Sequence, residues 1–293
     1  MVPDHASSII LFTFHDLQLM TQTQFHSPGL PAGWRDIRKI DAHMHVAGGS
    51  INWGFEDNGL IIEAADALGI EKLCCSIPVT DGYLATPEEV RECNDGVLEA
   101  MRRYPDRILG YCFVHQGYRD EMLDEIDRCL DAGMIGIKLY NQYKYSNPVT
   151  FPIAEKAIEC CVPILGHAGH PTDPRSLAGQ PNISDASDFS ELAQRFPELM
   201  MIEGHIGGGG DWEWSIKGLR DCPNVYLDTS GTVVNDRIIE MCISELGSDR
   251  ILFATDMTME GGVGKILSAQ MTDEQLEDIF WRNMQGILDR RTK

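Results

Sequence analysis

The sequence predicts an α/β chain folded as a closed (β/α)8 barrel, a TIM barrel, on three observations. Eight short apolar runs alternate with longer amphipathic stretches. The runs are apolar almost throughout rather than at every second residue, the pattern of parallel strands covered on both faces. Eight such units in about 250 residues match a closed barrel. A doubly wound open sheet is the competing arrangement. It would carry a G-x-G-x-x-G fingerprint after its first strand, and "HVAGGS" does not fit that pattern.

The predicted strands are KIDAHMHV (39–46), EKLCCSIPV (71–79), ILGYCFVH (108–115), MIGIKLY (134–140), VPILGHAG (162–169), LMMIEGHIG (199–207), VYLDTSG (225–231) and ILFATDM (251–257). Helical spacing of apolar residues fills the intervals at 58–68, 119–130, 149–160, 186–196, 212–220 and 236–246. Thr86-Pro87-Glu88-Glu89 reads as a capping box with proline at the first helical position, opening a helix to about residue 104. Thr272-Asp273-Glu274-Gln275 is a second box and opens the last helix. No linker divides residues 39–293, which are read as one barrel domain. Residues 1–38 lack periodicity and contain the turn-rich SPGLPAGW, so they are read as a tail or surface arm. Met20 is an alternative start, which would leave 1–19 outside the native protein.

Composition narrows the partners. With 24 basic and 45 acidic residues, the net charge of −21 repels phosphate backbones and anionic lipids. No apolar run approaches the ~20 residues that span a bilayer, and no signal peptide is read at the N-terminus. The nine cysteines form no C-x-x-C, as expected for reduced thiols in a cytoplasmic protein. The expected partner is a small molecule, with no nucleic acid and no membrane. Homo-oligomerisation is left open.

In a parallel barrel, chemistry gathers at the C-terminal ends of the strands. Asp41, His43 and His45 end the first predicted strand, His115 the third, and Lys138 and Tyr140 the fourth. His167, with His170 beyond it, ends the fifth, and Glu203 and His205 the sixth. Asp228, Thr229 and Ser230 end the seventh, and Asp256 the eighth. His43 and His45 are two residues apart and so share a strand face. Two neutral imidazoles side by side leave lone pairs unsatisfied, and one metal ion satisfies both. Mixed nitrogen and oxygen ligands suit zinc, and also manganese or iron.

Together, DAHMHV, GHAG, GHIGG and FATD, in this order and on these strands, resemble the amidohydrolase superfamily. The closest likeness is to its amidohydrolase-related branch of metal-dependent hydrolases and decarboxylases, over about residues 39–290. The resemblance implies that His43, His45, His167 and Asp256 hold one divalent ion, with Zn2+ expected and Mn2+ or Fe2+ as alternatives. It gives His205 an acid/base or orienting role. Some superfamily members carboxylate a strand-four lysine to bridge two metals. The branch is mononuclear, so Lys138 is expected as a charge partner. After the eighth strand the sequence departs from the branch pattern as TDMTMEGGVGK, where Glu260 is expected on the pocket rim.

The resulting expectation is an enzyme that hydrolyses a C–O or C–N bond of a small lactone, ester or amide. A metal-activated water would attack, Asp256 would take its proton and His205 would assist. Asp41, His115, Lys138, Tyr140, His170, Ser230 and Glu260 are candidates for substrate contact or support, and Asp41, sharing the strand face of His43, is expected to orient a ligand imidazole. The alternative is a metal-dependent decarboxylase of an aromatic or enoic acid, with His205 protonating carbon. Hydrolysis is preferred because decarboxylating relatives tend to be longer. A non-catalytic metal-binding protein is the third reading. It would keep its function in a His205→Asn variant.

Overall fold

A computed structural model describes residues 32–48, 57–78, 85–206 and 211–291. Most of the proposed N-terminal arm, residues 1–31, therefore lies outside the described residues. Eight strands run in parallel in the order of the chain. They are β1 (Ile40–His45), β2 (Lys72–Ser76), β3 (Ile108–Phe113), β4 (Gly136–Leu139), β5 (Ile164–Gly166), β6 (Met201–Glu203), β7 (Val225–Asp228) and β8 (Ile251–Leu252). The Ala42 amide donates to the Phe253 carbonyl (2.9 Å) and the Asp256 amide to the His43 carbonyl (2.8 Å). These two bonds join the chain beyond β8 to β1 and close the barrel.

Helices cover the strands: α1 (Gly59–Leu68), α2 (Pro87–Arg103), α3 (Arg119–Asp131), α4 (Phe151–Glu159), α5 (Pro174–Gly179), α6 (Ala186–Arg195), α7 (Trp212–Gly218), α8 (Ile238–Leu246), α9 (Met259–Leu267), α10 (Asp273–Glu277) and α11 (Asn283–Arg290). Both capping boxes form. Thr86 accepts from the Glu89 amide and Thr272 from the Gln275 amide, and each glutamate or glutamine side chain reaches back to its cap. Helix α5 was not expected. It interrupts the β5–α6 connection, and the Asp173 carboxylate caps it.

The apolar alternation builds two layers. Ile40, Ala42, Cys74, Tyr111, Leu165, Ile202 and Leu252 form one cluster, and a larger one packs helices on strands. All nine cysteines are free and seven are buried, so they fill core space as small apolar side chains. No helix among the described residues is long and apolar enough to cross a membrane.

The last strands are shorter than predicted. β5, β6 and β8 stop at Gly166, Glu203 and Leu252, before the site residues that were placed on them. His205 (φ 65°), Asp256 (φ 44°) and Met257 (φ 72°) adopt left-handed backbone beyond these strand ends, which turns the chain out of the strand direction. Such strain at non-glycine residues costs roughly 1–3 kcal/mol each and collects at functional sites.

Candidate metal centre

Three side chains meet at the C-terminal mouth. Ligand atoms of His43, His45 and Asp256 lie within 4.8 Å of one another, the one such group among the described residues. β1 supplies both histidines. Asp256 arrives on the turn after β8, held by its amide bond to the His43 carbonyl. Gly204 makes room for the group: a Cβ there would sit 2.7 Å from the Gly166 carbonyl and 3.3 Å from His43 Cε1.

The hydrogen bonds indicate which nitrogen of each ring faces the group. His45 Nδ1 lies 3.0 Å from the Ser76 carbonyl, which can only accept, so Nδ1 carries the proton. Its Nε2 lone pair then faces Asp256 Oδ1 at 3.0 Å. Burial lowers the His45 pKa, which keeps the ring neutral. His43 Nδ1 is 2.8 Å from Asp228 Oδ2 and donates to it, which turns Nε2 toward Asp256 Oδ1 at 3.8 Å. A neutral imidazole and a carboxylate facing each other present acceptor to acceptor. A divalent cation satisfies that arrangement, so the donor set fits one.

Asp228 supports the group. It accepts from His43, from the His205 amide (2.9 Å), and from the Ser230 amide (2.9 Å) and hydroxyl (2.6 Å). Burial alone would raise its pKa, but the neighbouring His43 and these bonds hold it at about 2. Burial, with His43 nearby, lowers His205 to about 4.

The remaining candidates divide. His167 lies beside the three-residue group rather than in it. Its Nδ1 is 2.9 Å from His205 Nε2 and its Nε2 is 3.1 Å from Gln180 Oε1. Tyr140 stacks on His167, centroids 4.2 Å apart. His205 Nδ1 is 3.4 Å from Asp256 Oδ2. Lys138 is fully buried with its ammonium 2.9 Å from His43 Nε2, an imidazole nitrogen rather than an acid, and burial lowers its pKa to about 8.

Asp41 does not orient an imidazole ring. Its carboxylate accepts from the His43 amide and from the amide and hydroxyl of Thr255. A register shift between Asp41 and Met44 breaks the strict alternation that the sequence reading assumed. Burial raises the Asp41 pKa to about 8. His115 packs against Tyr118 and Tyr143 and accepts from the Gly117 amide. His170 pairs with Asp185 and lies against Trp214. Glu260 is exposed in the first turn of α9. None of these three contributes to the ligand group. Gln180 and Ser76 had no signal in the sequence. Asp228 did have one, its place at the end of β7, but no role was assigned to it.

The amidohydrolase family model matches residues 40–284. A γ-resorcylate decarboxylase from Polaromonas sp. is 24% identical over 283 residues, covering 77% of this chain and 85% of that protein. Among solved structures, 2,6-dihydroxybenzoate decarboxylase from Rhizobium superposes with a TM-score of 0.66 at 19% identity, covering 86% of this chain and 98% of that one. A 5-carboxyvanillate decarboxylase from Novosphingobium aromaticivorans, complexed with manganese and 4-hydroxy-3-methoxy-5-nitrobenzoic acid, gives 0.69 at 19% identity over 88% and 97%. These relatives overturn the expectation of hydrolysis. With the family model covering most of its length, the chain belongs to the amidohydrolase family.

Proposed function

We propose that this protein is a metal-dependent decarboxylase of a small aromatic carboxylic acid. The observation that carries the reading is the His43, His45 and Asp256 group in a chain whose curated relative over 85% of that relative's length is a γ-resorcylate decarboxylase. His43, His45 and Asp256 would hold the ion, and His167, by the family resemblance, would join them once released from His205. Manganese is favoured over the expected zinc, since a structural neighbour carries it and two imidazoles with a carboxylate suit either ion. When bound, the ion supplies positive charge that orients the substrate carboxylate and an adjacent oxygen.

The chain's own residues do the rest. The stacked Tyr140 and His167 rings offer a flat wall for an aromatic ring. The bond from ring carbon to carboxylate breaks and carbon dioxide leaves. The electron pair left on carbon takes a proton that His205, neutral because burial lowers its pKa to about 4, would relay from solvent, its ring N–H giving up a proton as its other nitrogen takes one from water, with Asp256 beside its Nδ1. Such proton transfer contributes about 10²–10⁴ in rate. Asp228 holds both His43 and the His205 backbone, so it fixes the proton donor relative to the ligands.

The test is release of labelled carbon dioxide from carboxyl-labelled ortho-hydroxybenzoates by Mn2+-loaded protein. Release that His205→Asn lowers about 10²-fold or more is expected. No release from any member of the series by protein with bound metal contradicts the proposal.

A further inference from the structure

Two cavities open on either side of His167, His205 and Asp256. The smaller, about 220 Å3, is also lined by His45, Pro78, Tyr140 and Met257. The larger, about 340 Å3, is lined by Gln180, Ile183, Ile206, Thr232 and Val233, among others. Neither has a lysine or arginine among its described lining residues. Outside the described set, the chain's last residue, Lys293, is the one lysine or arginine.

The connections that leave the C-terminal ends of the strands tell the same story. Among the described residues, 46–48, 57–58, 77–78, 85–86, 114–118, 140–147, 167–185, 204–206, 211, 229–237 and 253–258 contain three lysines or arginines against six acids. Lys144 is 2.9 Å from Asp188 and bound to it. Arg175 and Arg237 are exposed, and neither lines a cavity beside the metal centre. Lys138, on β4, is fully buried against His43 Nε2 and lines neither cavity.

We infer that this site selects acids with a single carboxylate and an otherwise uncharged body, and rejects dicarboxylates and phosphorylated acids. The inference rests on the decarboxylase reading for the class of molecule. The metal centre can neutralise one carboxylate. A second anion would leave water for a cavity walled by Ile183, Ile206 and Val233, with no lysine or arginine among its described lining residues to receive it. Desolvation of an unpaired charge is costly, and the acidic mouth adds like-charge repulsion. Selectivity here comes from what the pocket omits, a penalty on the wrong ligand rather than an extra contact to the right one.

The experiment uses Mn2+-loaded full-length protein and three probes: 2-hydroxybenzoate, 2-hydroxybenzene-1,3-dicarboxylate, and the 3-carboxamide of 2-hydroxybenzoate. The carboxamide has the shape of the dicarboxylate without its second charge. Calorimetry should find the dicarboxylate at least about tenfold weaker than the carboxamide, a gap that narrows with salt. Val233→Arg should cut that gap to about threefold or less by placing a cation in the larger cavity. A dicarboxylate that binds wild type as tightly as the carboxamide overturns the inference, as does failure of all three probes to bind. A folded Val233→Arg protein that binds the carboxamide normally and keeps the full gap also overturns it. If the predicted order of affinities holds but no probe releases carbon dioxide, the selectivity stands and the decarboxylase reading falls.

Discussion

The two ends of the barrel treat buried charge in opposite ways. At the N-terminal end, Lys39 precedes β1 and donates to the Trp34 and Ile37 carbonyls, each at 2.8 Å. Arg250 precedes β8 and donates to the carbonyls of Leu219, Cys222 and Leu246. Both cations are buried, and each of these contacts joins donor to acceptor. At the C-terminal end, the His45 lone pair and the Asp256 carboxylate face each other, acceptor to acceptor. At the bottom each buried cation is matched to carbonyl acceptors within the fold. The top is complete only with a cation, and it tolerates strained backbone at His205 and Asp256 to hold that geometry.

The contrast can be broken from either end. Arg250→Met removes the guanidinium donor from three carbonyls, of which those of Leu219 and Cys222 keep a backbone amide donor, and should lower stability by about 2 kcal/mol. Chemical denaturation measures this, and metal affinity per folded molecule should not change. A shift in metal affinity would show that the two ends are not independent. At the top, Asp228→Asn loses the carboxylate that orients His43, and metal affinity should fall about 10–100-fold. The expected change in denaturation midpoint for the metal-free protein is smaller than that of Arg250→Met.

The smallest effect belongs to Glu203, which is fully buried with one oxygen lacking a partner. Burial, then Asp185 and Asp228, push its pKa well above 4.5. The folded state therefore holds this proton more tightly than the unfolded chain does. Its stabilising contribution is complete below about pH 4.5 and is lost as pH rises through the raised folded value. Glu203→Gln should match wild type near pH 4.5 and be more stable by about 1 kcal/mol near pH 8. Melting curves across that range check it, and an unchanged pH slope would count against it.

Much of the site was legible because strands and motifs carry it locally. The two-residue spacing of His43 and His45 announced a shared face, and Asp256 stood at the end of the eighth apolar run. The role of Asp228 was harder to read. It meets His43 across 185 residues of chain, and no local pattern reports such a pairing. The sequence reading gave Asp41 the task that Asp228 performs, because the β1 register shift is invisible to strict alternation. The early ends of β5, β6 and β8 were missed for a related reason. The apolar runs continue past them while the backbone turns away. Hydrolysis and decarboxylation could not be separated, since the same imidazoles and carboxylate serve both.

The central claim is that His43, His45 and Asp256 form a single cation site. Calorimetric titration of metal-stripped protein with Mn2+ tests it most directly. The account predicts one ion per chain, with His45→Ala and Asp256→Asn each weakening binding by on the order of 100-fold. Wild-type protein that takes up no ion, or a His45→Ala, Asp256→Asn double variant that binds as tightly as wild type, would contradict it.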